Sequence, residues 1–112
     1  MSEPRWVPIC TVDRLVPDRG VAALVEGRQV AVFLLATGEL FAVDNIDPFS
    51  GAAVLSRGLV GDVDGTPTVA SPVYKQRFDL RSGRCLDDDA VRLATWPARK
   101  GGGVVEVGSP SP

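Results

Sequence analysis

Cys10 and Cys85 are the only thiols in the 112-residue chain, and there is no histidine. Together these facts restrict the chemistry. Thiolate and imidazole are the groups that grip soft or borderline metal ions and that attack or shuttle protons near neutral pH. The two cysteines are far apart and form no CxxC or CxH pattern, so they are expected to be reduced, buried thiols behaving as small hydrophobes. Asp87-Asp88-Asp89 is the densest carboxylate run. Adjacent side chains on extended backbone point in different directions, and the run lacks the spaced oxygens and turn glycine of a calcium loop. A solvated acidic turn is expected there. Gly101-Gly102-Gly103 is followed by neither Lys-Ser/Thr nor a helix, which excludes a phosphate-binding loop. No nucleophile–base pair is suggested by spacing, so the isolated chain is expected to be non-catalytic, with no catalytic residue, cofactor-binding residue or metal ligand of its own.

The bulk properties agree with a globular chain. Apolar residues make up 45% and charged residues 23%, and the length predicts one domain over 1–112, with a core over 6–107 and a frayed tail over 108–112. A net charge of −2 lacks the basic excess of a nucleic-acid-binding surface. No apolar run approaches the ~20 residues of a membrane helix, and Met1-Ser2-Glu3-Pro4 lacks the features of a signal peptide. A cytoplasmic location is expected, with neither nucleic acid nor membrane as partner.

The elements that must position any site are short strands. Twelve glycines and nine prolines punctuate brief apolar runs, a rhythm of strands and tight turns. Trp6–Cys10 reads as a first strand, with Asp13–Leu15 as a single helical turn after it. The runs 20–25 and 29–35 flank Glu26-Gly27-Arg28, a hairpin signal. Gly38-Glu39 turns the chain into a strand over 40–43. From Asp44 to Gly65 alternation gives way to a long, packed loop, and Asp64-Gly65 leads into a strand over 68–70. A second loop, Ser71–Gln76, precedes Arg77–Leu80 and the turn 81–84. Val91–Trp96 alternates as a half-buried strand, and 97–107 reads as a closing hairpin. With no sustained period of 3.6, no long helix is expected. The fold class is all-β, a sandwich or small barrel of short antiparallel strands with two apposed loops.

Those loops carry a family resemblance. The first reads Asn45-Ile46-Asp47-Pro48-Phe49-Ser50-Gly51 and then Val54-Leu55-Ser56-Arg57-Gly58. The second reads Ser71-Pro72-Val73-Tyr74-Lys75-Gln76-Arg77-Phe78-Asp79-Leu80. The framework resembles Rieske domains, whose loops run C-P-H-x-G and C-P-x-H-G-x-x-F-D-L and hold a two-iron, two-sulfur cluster. Carried over position by position, Asp47 and Ser71 stand where the cysteines would be, and Phe49 and Tyr74 where the histidines would be. Hydroxyl, carboxyl and phenyl groups lack the softness the cluster demands, so no cluster is expected. The ordered set of replacements over roughly Trp6 to Val107 is similar to the small subunit of assimilatory NAD(P)H-dependent nitrite reductase, the clusterless branch of this fold. That resemblance implies a large-subunit partner carrying flavin, an iron–sulfur cluster and siroheme, where nitrite becomes ammonium. A free-standing or accessory module of another oxidoreductase system on the same fold stays open at this point.

A cluster ties its two loops together, and without one they need another clamp against an ordering entropy of roughly 1–2 kcal/mol per residue. Phe49 and Tyr74 are expected to pack against each other or nearby apolar groups, with Asp47 and Ser71 satisfying backbone N–H groups within their own loops. The loop tip is the expected contact with the partner, through Phe49, Arg57, Tyr74, Lys75, Gln76 and Arg77.

Overall fold

Val30–Leu34 is apolar without interruption, and a strand of that kind needs cover on both faces. The computed structural model, which describes residues 5–109, supplies that cover. Ten strands form three small antiparallel sheets among the described residues. The central sheet contains β2 (Arg19–Val25), β3 (Arg28–Leu34), β4 (Leu40–Asp44) and β8 (Thr95–Trp96), paired in that order. Because successive side chains of a strand point to opposite faces, β3 feeds two cores at once. Ala31, Phe33 and Leu35 join Val43, Leu55, Val69, Phe78, Leu80 and Cys85 on one side. Val30, Val32 and Leu34 join Ala42, Trp96, Val105 and Val107 on the other.

The second core is closed by β1 (Trp6–Thr11), β9 (Ala98–Gly101) and β10 (Val104–Gly108), with β10 in the middle. The first core is closed by β5 (Leu59–Val63), β6 (Thr66–Ala70) and β7 (Arg77–Asp79), with β6 in the middle. This last sheet positions the two loops. One loop descends from β4 and reaches β5 through the 3₁₀ turn Leu55–Arg57, while the other joins β6 to β7. Gly58 lets that turn lie against β6, since a Cβ there would stand 2.5 Å from the Ala70 carbonyl oxygen.

Most expected elements form where the sequence placed them, with instructive departures. The stretch 44–65 contains a full strand, β5, which pairs with β6 from Leu59↔Ala70 to Val63↔Thr66. Val91–Trp96 shortens to the two residues of β8. Upstream of it the backbone folds onto the turn after β7: Leu93 N–H donates to Gly83 (2.7 Å) and Cys85 N–H to Val91 (3.0 Å). Val91 and Leu93 thereby reach the first core without extending a ladder. β10 continues to Gly108, which is buried and pairs with Trp6, and Ser109 N–H donates to the Arg5 carbonyl at 3.1 Å. The ordered chain therefore runs past residue 107, and the rest of the expected tail, 110–112, lies outside the described residues. Cys85 is a free, buried thiol as expected, whereas Cys10 is free but only half-buried. No helix is long and apolar enough to cross a membrane among the described residues.

Candidate functional site

The first loop is pinned at its neck by Asn45, which is 1% exposed. Its backbone carbonyl accepts from Val54 (3.0 Å) and Leu55 (3.1 Å), and its side-chain Oδ1 accepts from Ser56 N–H at 2.7 Å. Its own N–H donates to the Gln29 carbonyl of β3 at 3.1 Å. One asparagine thus ties the loop's exit to its entrance, the way Asx side chains often organise irregular backbone. Sequence reasoning passed over Asn45. The available signal was an Asn placed just after a strand and two residues before Asp-Pro.

Beyond this neck the two loops share one design. Asp47 and Ser71 each begin a turn in which their carbonyl accepts from the residue four further on, Gly51 (2.7 Å) and Lys75 (3.0 Å). Their N–H groups donate to the residue five further on, Ala52 (2.8 Å) and Gln76 (2.9 Å). Each side chain also accepts from the backbone two residues on: Phe49 N–H to Asp47 Oδ1 at 2.8 Å, and Val73 N–H to Ser71 Oγ at 3.3 Å. Pro48 and Pro72 fix φ at matching positions. Gly51 and Lys75 match as well, both left-handed, with φ of +77° and +67°. Glycine takes that conformation freely, whereas a side chain there costs about 1–2 kcal/mol.

The loops meet through their first residues. The Ser71 hydroxyl donates to Asp47 Oδ2 at 2.5 Å, and both residues are 0% exposed. A buried carboxyl group needs its lone pairs met, and here a hydroxyl and a backbone N–H meet them. This contact spans 24 residues of sequence. It joins the two positions that the sequence resemblance sets against the cysteines of a Rieske domain.

Of the two contacts expected for the aromatic clamp, Phe49 makes the one with a nearby apolar group. Phe49 is half-buried and packs on Phe78 of β7, with ring centroids 6.2 Å apart and planes tilted by 47°. Tyr74 is 60% exposed, so the pairing of Phe49 with Tyr74 does not form. The physical reason is where each loop points its third and fourth residues. Phe49 is drawn to the first core, whereas Val73 and Tyr74 project from the opposite turn at 42% and 60% exposure. Each of the six expected contact residues has a definite setting. Phe49 supports the loop from below, and Tyr74 and Lys75 stand exposed at the tip. Gln76 is half-buried, with its Oε1 enclosed and facing no donor. Arg57 is exposed at the end of the 3₁₀ turn. Arg77 is exposed but engaged.

Its partner is Asp87. Arg77 donates through Nη2 to Asp87 Oδ1 (3.0 Å) and through its backbone N–H to Oδ2 (2.8 Å). These hydrogen bonds hold the Asp87 carboxyl below the usual carboxylate range and raise the Arg77 guanidinium above its ordinary value. Asp89 pairs with Arg84 at 3.1 Å, and Asp88 Oδ1 accepts from Ala90 N–H at 3.0 Å. The acidic run is therefore exposed, as expected, but two of its carboxylates are spent on arginines and the third on its own turn. Among the described residues no group of three or more Cys, Asp or Glu is arranged to hold a metal ion.

The donor set at the loop ends does not suit an iron–sulfur cluster. Asp47 and Ser71 are consumed by each other, Phe49 offers no donor atom, and the Tyr74 side chain is turned to solvent. The two cysteines lie elsewhere: Cys10 is on β1, and Cys85 is buried in the first core, its backbone bridged to that of Phe78.

Comparison with known proteins places this geometry in a lineage. Residues 5–108 match the family described as Rieske-like [2Fe-2S] domain. The nitrite reductase (NADH) small subunit of Salmonella typhimurium is 44% identical over 104 residues, covering 92% of this chain and 96% of that protein. The NMR structure of the E. coli protein NirD superposes with a TM-score of 0.89 at 41% identity, covering 97% of this chain and 100% of the other. A nitrite reductase [NAD(P)H] large subunit from Klebsiella oxytoca is 42% identical over 104 residues, which are 93% of this chain but 11% of that protein. With the match running nearly end to end, this chain belongs to the Rieske-like domain family, in the branch formed by the small subunits of nitrite reductase.

Proposed function

We propose that this chain is the clusterless, non-catalytic small subunit of a cytoplasmic NAD(P)H-dependent nitrite reductase, and that it stabilises or assists a large subunit which reduces nitrite to ammonium in nitrate assimilation. The buried Asp47–Ser71 hydrogen bond carries this reading. It occupies the place of the cluster's sulfur ligands with hard oxygen donors already satisfied by one another, so the loops are joined by the protein itself. Flavin, the iron–sulfur cluster and siroheme then belong to the large subunit. The loop tip, with Tyr74, Lys75, Gln76 and Arg77 above Phe49 and with Arg57 on the neighbouring turn, is the contact surface. In the Klebsiella oxytoca large subunit a matching domain occupies part of one polypeptide, which supports assembly of this domain with such a subunit.

The test is direct. The chain, purified after expression with ample iron and sulfide, should be colourless and free of stoichiometric iron. Mixed with the large subunit encoded by the same organism, it should co-elute on size exclusion and raise or stabilise nitrite-dependent NAD(P)H oxidation. A visible absorption band from a two-iron cluster, or no association with the large subunit, would overturn the proposal.

A further inference from the structure

Four non-glycine residues of the described chain have left-handed backbone: Asp18, Glu26, Asp64 and Lys75. Three have a local reason. Asp18 bonds Ala36 N–H through its carboxylate at 2.9 Å. Glu26-Gly27 and Asp64-Gly65 are the two-residue turns of hairpins β2–β3 and β5–β6, where positive φ is required at both positions. Lys75 has none. The sister loop has Gly51 at the equivalent place, and the Lys75 ammonium makes no ion pair and no hydrogen bond among the described residues. A side chain held at a left-handed position that glycine fills in the sister loop, with no contact of its own inside the chain, is a mark of a residue kept for something outside it.

Its surroundings say what. Val73 and Tyr74 precede it at 42% and 60% exposure. The other cation of this loop, Arg77, is committed to Asp87. The tip is thus one free ammonium among uncovered apolar side chains. Such a cation gains most from a carboxylate when apolar neighbours exclude water around the pair. A second copy of this chain is a poor occupant of a contact centred on this tip, because the two-fold axis would then bring two Lys75 ammonium groups close together.

Resting on the function proposed above, we infer that Lys75 is the anchoring cation of this tip. It engages a carboxylate-bearing patch of the large subunit while Val73 and Tyr74 are covered around it. Glycine would relax the backbone, so stability and binding should move in opposite directions.

The experiment measures the affinity of the full chain for its large subunit at two salt concentrations, together with Tm, for wild type, Lys75→Gly, Lys75→Gln and Lys75→Arg. Lys75→Gly should raise Tm by about 4 °C, from relief of the left-handed side chain, yet bind at least tenfold more weakly. Lys75→Gln should bind as weakly, with less dependence on salt, and Lys75→Arg should retain most of the affinity. If wild type binds and the Gly and Gln variants bind equally well, this inference fails while the proposed function stands. The charge role fails too if Lys75→Arg loses as much as Lys75→Gln, or if salt dependence is unchanged. No binding by wild type would overturn both.

Discussion

The Asp47–Ser71 contact should behave as one energetic unit, which a double-mutant cycle can measure. Both side chains are fully buried and joined across 24 residues of sequence. Ser71→Ala removes the donor and leaves Asp47 Oδ2 enclosed with an unmet lone pair. A missing partner of this kind costs about 2–3 kcal/mol, since a buried polar group forfeits both its bond and its hydration. Asp47→Ala also leaves the Ser71 hydroxyl and Phe49 N–H without their acceptor, for a cost of similar size. The double variant should lose less than the sum, because each single change already breaks the same bond. The expected coupling is about 1–2 kcal/mol. In a domain of this length about 1 kcal/mol moves Tm by roughly 4 °C, so each single variant should melt roughly 8–12 °C lower. Urea titration of the four proteins, with m-values checked for constancy, gives the cycle. If each single change costs below about 0.5 kcal/mol, or the two add without coupling, the bond does not hold the loops together and the reasoning is wrong.

Other predictions address neighbouring contacts. Phe49→Ala should cost about 2 kcal/mol in urea titration, roughly half the value for a fully buried phenylalanine, because Phe49 is half-buried on Phe78. Asn45→Ala should cost about 1–3 kcal/mol and expose the Ser56 amide; hydrogen exchange at that amide should speed up with little change in β6. Asp87→Asn should reveal its contribution through pH. Hydrogen bonds from Arg77 lower the folded pKa of Asp87, so the stabilisation is present above the ordinary carboxylate value of about 3.9 and is lost as pH falls through the lowered one. The Tm deficit of the variant at pH 7 should therefore close on acidification below about pH 4. A deficit that persists unchanged at lower pH would refute the assignment. The raised Arg77 pKa acts only at strongly alkaline pH and leaves this window untouched.

Much of the strand plan was legible because its signals are local. Turn residues such as Glu26-Gly27 and Asp64-Gly65 dictate backbone conformation where they stand, and the unbroken apolar run of β3 announces burial on both faces. Errors fell where local signals compete. Leu59-Val60-Gly61-Asp62-Val63 follows a glycine and contains another, so it reads as loop until β6 offers a ladder. Val91–Trp96 alternates like a strand, yet the nearer partners for its backbone are Gly83 and Cys85.

At the loops, sequence by itself determined which atoms are present: carboxyl, phenyl, hydroxyl and phenol where the resemblance to a Rieske domain would put sulfur and imidazole. That is a property of residue types at given spacings, and no folding can alter it. Only the tertiary structure decided which of these groups meet. Phe49 faced a choice between Tyr74 and Phe78, and burial in the first core favoured Phe78. Asp47 and Ser71 could each have served only its own turn, but the sheet of β5, β6 and β7 brings the two turns together so that neither side chain can be hydrated. Contacts between residues distant along the chain depend on how whole sheets stack, and no local sequence signal encodes that stacking.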